Sequence, residues 1–391
     1  MAGRDPGEEE RASTPLELLF DLSFVVAVSA AASALHHDLA GGHVEHGLVS
    51  YLVVFFAIWW PWVNFTWFAS AYDTDDVPYR LLTFLQITGV LIVTAGVPSA
   101  FDEADFRIMV VGYVVMRIAL VGQWLRAARE DPVGAPVARR YALGITLVQL
   151  GWAARLAVAG TIGGVAFAVL AILELAVPVW AERGGRPTPW HPRHIAERYG
   201  LFTIIVLGEC MLATSVALQA AVVSGGVTGD LLLIAAGGLL LVFGLWWSYF
   251  KHPAAIGEGD GAISSYLWGY GHYVIFAAVA AMGAGLAVAV DTTIEDLPLS
   301  APMTALTVAV PVVAFLAAAG ILHARPRTVR VWLPFAVFAP ILLAIALSAG
   351  WIGVPLAILA MGILLAIFVA YNVAAMHRAA LRAAATIEAH A

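Results

Sequence analysis

Residues 14–34 read Thr14-Pro-Leu-Glu-Leu-Leu-Phe-Asp-Leu-Ser-Phe-Val-Val-Ala-Val-Ser-Ala-Ala-Ala-Ser-Ala34, an apolar run broken only by Glu17 and Asp21. A bilayer is crossed by about 20 such residues. Thr14-Pro15-Leu16-Glu17 is the pattern of a capping box, with Pro at the first helical position and Glu17 reaching back to the Thr14 amide. The preceding charges include Glu8, Glu9 and Glu10, and no convincing small-residue cleavage site follows. The run is therefore expected to be a retained membrane helix and not a signal peptide.

The rest of the chain agrees with this reading. Of 391 residues 61% are hydrophobic and 12% charged, against about 25% charged in an ordinary soluble domain. A soluble enzyme, a disordered chain and a basic nucleic-acid binder are excluded. The lone Cys210 excludes a disulfide framework and a cysteine metal site. The fold expected is all-α and integral to the membrane, with the lipid bilayer as its first partner. Cutting at Gly, Pro and charge clusters gives twelve spans, near 16–36, 47–71, 79–99, 106–126, 138–158, 161–180, 197–222, 228–250, 264–290, 300–322, 330–349 and 351–376. Short Gly-containing turns must separate spans at Ala159–Gly164 and Ser348–Gly353.

Placing the N-terminus in the cytoplasm puts 17 of the 20 basic residues inside, including the Arg139-Arg140 and Arg325–Arg330 clusters. Arg107 and Arg155 fall outside, and Arg117 falls mid-span. This asymmetry predicts an inner-membrane protein with both termini cytoplasmic. Landmarks also recur. Trp59-Trp60 closes span 2 as Trp246-Trp247 closes span 8, and Gln86 in span 3 matches His272 in span 9. The expected organisation is a tail (1–15), a six-helix unit (16–180), a linker (181–196), a second, parallel six-helix unit (197–376) and a tail (377–391).

Three stretches resemble the bacterial low-temperature-requirement protein A (LtrA) family. They are Thr14–Val25, Trp59-Trp60-Pro-Trp62 with Thr66, Asp73-Thr-Asp-Asp76 and Arg80-Leu-Leu, and His194-Ile-Ala-Glu-Arg-Tyr-Gly-Leu-Phe-Thr-Ile-Ile-Val-Leu-Gly-Glu209. Leu245–Phe250 and Tyr270-Gly-His272 follow in the right order. The resemblance implies a polytopic membrane protein and supplies no mechanism. Family members often carry Ser where this chain has Cys210, which argues against an essential hydroxyl there. Phe20-Asp21 is similar, without an intervening serine, to the potassium channels of the transmembrane-175 type.

Ionisable residues within spans are candidates for function. Asp21 is one turn beyond Glu17 and is expected either to pair with Arg80 or Arg198 or to line a pathway. Glu209 lies near the middle of span 7, where Gly208 is expected to allow close helix approach. Arg117 needs a carboxylate, and Glu209 and Glu174 are the available ones. His272 reads as a proton-linked switch or a hydrogen-bonded interhelical histidine. The tryptophans near Asn64 and Thr66 read as interfacial anchors. His36, His37, His43 and His46 share a loop with Asp38 and Glu45, a weak metal candidate whose spacing matches no zinc motif.

No soluble-enzyme or metalloprotease motif is present, so no enzyme and no cofactor is expected. The leading expectation is a secondary transporter or permeation protein for a small solute or ion. Its polar site, at the six-plus-six interface, would comprise Asp21, Gln86, Arg117, Glu209 and His272, with Glu17, Arg80, Glu174 and Arg198 as secondary candidates. An ion channel and an intramembrane enzyme acting on a lipid-linked group are the alternatives.

Overall fold

The computed structural model describes residues 1, 3–4, 12–158, 160–183, 185–251, 262–323 and 332–388. Glu8–Glu10, which precede the first span, and Arg11, Arg325, Arg327, Arg330 and the side chain of Arg382, all among the 17 basic residues placed inside, lie outside the described residues. The described chain is helical throughout: α1 (Pro15–Ala40), α2 (Val44–Tyr72), α3 (Val77–Ala95), α4 (Val97–Asp102), α5 (Arg107–Glu130), α6 (Ala135–Arg155), α7 (Gly160–Ala181), α8 (Pro192–Gly225), α9 (Gly229–Phe250), α10 (Ala262–Asp291), α11 (Ala301–His323), α12 (Trp332–Leu347), α13 (Ala349–Ile352) and α14 (Val354–Glu388). Ten of these are long and apolar enough to cross a membrane. The other two expected spans coincide with α6 and with the shorter α12, while α4 and α13 are single turns within connections. Gly353, at a φ of 84°, makes the α13–α14 turn in a left-handed conformation that side chains disfavour.

The capping box forms as the sequence expects. Thr14 N–H donates to Glu17 Oε2 at 2.8 Å, and Glu17 N–H donates to Thr14 Oγ1 at 3.2 Å. Helix α8 exceeds its predicted span because its first turns, although polar, are buried: His194 and Arg198 are both inaccessible.

The chain divides into two compact units. The first comprises Met1–Ala34 and His46–Phe202; the second comprises Leu35–Glu45, Thr203–Ala255 and Gly261–Ala391. Both α1 and α8 therefore begin in the first unit and end in the second.

The first unit has an aromatic core, with Phe20, Trp60, Trp62, Phe65, Phe68, Tyr72 and Tyr79 fully buried. Glycines also bring its helices together: a Cβ at Gly89 of α3 would lie 2.7 Å from the Gly112 carbonyl of α5. The second unit uses glycines in the same way. A Cβ at Gly237 of α9 would lie 2.6 Å from the Ile358 carbonyl of α14, and one at Gly285 of α10 would lie 2.5 Å from the Thr307 carbonyl of α11. Such close backbone approach is how helices gain contact where no hydrophobic force acts between them. Gly208, expected to serve this purpose, does not: a Cβ there meets nothing within 4 Å. The close approach to this part of α8 comes from Gly283, whose Cβ would fall 3.0 Å from the Cys210 Cα. The matched tryptophan pairs also differ in setting: Trp59 and Trp60 are buried, whereas Trp246 and Trp247 are exposed.

Candidate functional site

The first unit buries two groups of charges, each completed by indoles of α2. In the first group, Arg198 reaches from α8 to both acids of α1. Its Nε donates to Asp21 Oδ2 at 3.0 Å and its Nη2 to Asp21 Oδ1 at 2.5 Å, while Nη1 lies 3.0 Å from Glu17 Oε1. Trp62 Nε1 donates to Asp21 Oδ1 at 2.7 Å. His194 Nε2, one turn before Arg198, sits 3.2 Å from Glu17 Oε1. Glu17, Asp21, Trp62, His194 and Arg198 are all inaccessible to solvent. Of the two partners expected for Asp21, Arg198 is the one used; Arg80 instead forms an exposed pair with Asp75 at 2.7 Å. Two carboxylates face one guanidinium, so the group is neutral only when it holds one further proton among His194, Glu17 and Asp21.

In the second group Arg117 of α5 meets Glu174 of α7, with Nη2 3.2 Å from Oε2. Glu174 also accepts Trp60 Nε1 at 2.8 Å and Trp152 Nε1 at 3.2 Å. Arg117 lies 5.3 Å from the Tyr113 ring centroid, a cation–π contact. Its Nε and Nη1 are buried without a hydrogen-bond partner.

Pro61 links this group to the shape of α2. Proline has no N–H, so inside a helix it strands the carbonyl four residues earlier. That carbonyl belongs to Ala57, and it accepts the Tyr113 hydroxyl at 2.5 Å.

The tryptophans of α2 therefore require a correction. Trp60 and Trp62 are not interfacial anchors but internal donors, aimed at carboxylates that nothing else in an apolar interior could hydrate. Their signal was in the sequence, as indoles among in-span acids, but the partners lie 114 and 41 residues away. His194, Trp62, Trp60 and Trp152 are the site residues not singled out from the sequence.

Gln86 donates to Gln123 at 2.8 Å, a buried amide pair between α3 and α5. His272, in the second unit, bonds to the Trp268 carbonyl through Nδ1 at 2.8 Å and to the Tyr249 hydroxyl through Nε2 at 3.0 Å. A carbonyl only accepts, so Nδ1 donates to it. Glu209 is buried in the second unit at the middle of α8.

The histidines expected in one loop lie mostly in helices: His36 and His37 are neighbours on α1, with ring centroids 5.5 Å apart, and His46 is on α2. His36 Nε2 lies 2.6 Å from Asp291 Oδ2, and His46 packs edge-on to Phe101. Among the described residues no three metal-capable side chains converge.

Charges at the helix ends are paired near water. Asp76 accepts the Tyr79 N–H at 3.0 Å as the N-cap of α3 and takes both terminal nitrogens of Arg126. Hydrogen bonding to Arg126 holds its carboxyl well below the usual carboxylate range. Arg107 does the same for Asp105, lowering it to about 2.

Comparison with known proteins agrees with the residues quoted above. The profile of the bacterial low temperature requirement A protein (LtrA) family matches residues 12–371. An uncharacterized protein of Rhizobium meliloti (strain 1021) is 28% identical over 303 residues, covering 70% of this chain and 69% of the relative. No solved structure matches the chain. With its family profile running from the capping box of α1 into α14, this multi-pass membrane protein belongs to the bacterial low temperature requirement A family.

Proposed function

We propose that the chain is a secondary transporter or permeation protein of the bacterial inner membrane, with both termini in the cytoplasm. The observation that supports this reading is the unused half of Arg117. A guanidinium that served only to complete an ion pair would have its donors occupied, because buried unpaired donors are costly. Arg117 spends Nη2 on Glu174 and leaves Nε and Nη1 over. Gln149, one turn before Trp152 on α6, likewise leaves both amide atoms unpartnered. Donors left over in this way suit water or a solute oxygen.

In this reading Arg117 and Glu174 form a solute-facing pair. Within the first unit Asp21 and Gln86 are assigned to the solute path, and within the second Glu209 and His272, with Glu209 carrying the coupling proton. Flux of labelled solutes into proteoliposomes under a pH gradient tests it. The paired variant Arg117→Gln with Glu174→Gln removes both charges together and is expected to abolish flux while the protein remains folded. Full flux in that variant, or in Asp21→Asn and Glu209→Gln, would refute these assignments.

A further inference from the structure

Beside the second charge group, α2, α5, α6 and α7 line a narrow apolar cavity that is partly open to the outside of the protein. Its wall is aromatic: Phe56, Phe106, Tyr113, Trp152 and Phe167. Phe167 is the hub, 5.0 Å from Trp152, 6.1 Å from Phe106 and 6.3 Å from Phe56, centroid to centroid. Two charged residues touch the cavity, Glu174 and Arg155.

These charges differ in what they have left to offer. Glu174 accepts from Arg117, Trp60 and Trp152 and is neutralised by the first. Arg155 has no carboxylate among the described residues. Its Nε donates to the Gly163 carbonyl at 3.0 Å, and its guanidinium lies over Phe106 at 4.9 Å and Phe167 at 5.4 Å. The nearest acid in sequence to that wall, Asp105, is held by Arg107 at 2.6 Å. A half-buried cation therefore sits without a counter-charge at one end of an apolar cavity. The Gly163 level and Glu174 are eleven residues apart on α7, roughly 16 Å at 1.5 Å per residue.

The wall formed by α7 also faces outward. Of the ten membrane-length helices it is the least buried, and Ile162, Val165, Val169 and Ile172 are exposed along it. Access from the bilayer past α7 is access for a molecule that partitions into lipid.

We propose that this cavity binds an amphiphilic anion, its apolar tail against the aromatic wall and its carboxylate or phosphate on the free Nη groups of Arg155. The assignment goes beyond the transport reading and stands without it.

The test is equilibrium binding of radiolabelled dodecanoate to the full chain in phosphatidylcholine nanodiscs, against protein-free discs. Saturable binding is expected, with little competition from dodecanol or dodecyltrimethylammonium. Arg155→Gln should weaken it about tenfold or more, since a charge-assisted bidentate contact is lost. Arg155→Glu should abolish it and confer binding of dodecyltrimethylammonium. Phe167→Trp, which fills the cavity, should weaken binding while leaving the charge preference unchanged. The wild type alone gives a second reading: dodecanoate should raise its unfolding temperature, and the alcohol and the cation should not. Competition by phosphatidic acid would identify a membrane lipid as the source of the ligand, and competition by dodecyl phosphate alone a free amphiphile. Unsaturable binding, equal binding of acid, alcohol and cation, or binding unchanged in a folded Arg155→Glu protein would overturn the proposal.

Discussion

Trp62 donates its indole N–H to Asp21 across 2.7 Å, with neither side chain accessible to solvent. This contact explains why an acid can sit one turn inside α1: the carboxylate is held by Arg198 and the indole together. Trp62→Phe keeps the ring and deletes one donor, and is expected to cost about 1–3 kcal/mol. Arg198→Gln leaves Glu17 and Asp21 without their cation and is expected to cost about 3–5 kcal/mol. Unfolding in mild detergent should rank the two in that order; the opposite order would mean the indole is the main support of Asp21.

Pro61 and Tyr113 make a second, non-additive pair. Tyr113→Phe strands the Ala57 carbonyl and should destabilise by about 1–3 kcal/mol. In a Pro61→Ala background, the restored N–H at position 61 can bond to Ala57, so the same Tyr113 substitution should cost markedly less. A double-mutant cycle measures the difference, and simple additivity would show that the hydroxyl does not stand in for the missing amide.

Glycines of the second unit should respond unequally to alanine. Gly237→Ala sets a methyl 2.6 Å from the Ile358 carbonyl and should destabilise or separate α9 from α14. Gly208→Ala meets open space and should be neutral, or stabilising by up to about 1 kcal/mol through helix propensity. Thermal unfolding of the two variants decides the matter, and equal losses would contradict the packing described.

The pH dependence of the α5 end follows from Asp105. A carboxyl lowered to about 2 in the folded protein stabilises it fully above the unfolded value of about 3.9. That contribution is lost as pH falls from there through the folded value. The Asp105–Arg107 pair should therefore persist through the mildly acidic range and break between about pH 4 and 2, with a small energetic effect because both groups are near water. Infrared titration of the carboxyl band absent in Asp105→Asn locates the midpoint; a value at or above 4 would mean the pair does not form.

The fold was legible in the sequence to the extent that hydrocarbon thickness dictates it. Span lengths, the Thr14–Glu17 cap and the separation of charges into loops follow from rules about single segments. Partners were legible only where few existed: Arg117 had two candidate carboxylates, and one of them, Glu174, pairs with it. Helices apolar on every face carry no stripe to mark which side packs and which meets lipid. The sequence could therefore not distinguish Gly208 from Gly283, or the buried Trp60 from the exposed Trp247. The indole–carboxylate contacts are hidden in the sequence for a related reason, since tryptophan near a helix end is equally at home at a membrane surface.

Those same contacts give Asp21 and Glu174 indole reporters. Trp62 donates to Asp21, whereas Trp60 and Trp152 both donate to Glu174. The vibrational frequency of an indole N–H tracks the strength of its hydrogen bond, so protonating Asp21 would be visible in the spectrum of one tryptophan and protonating Glu174 in that of two. Changes of charge in the interior of the first unit can thus be followed optically, without a label.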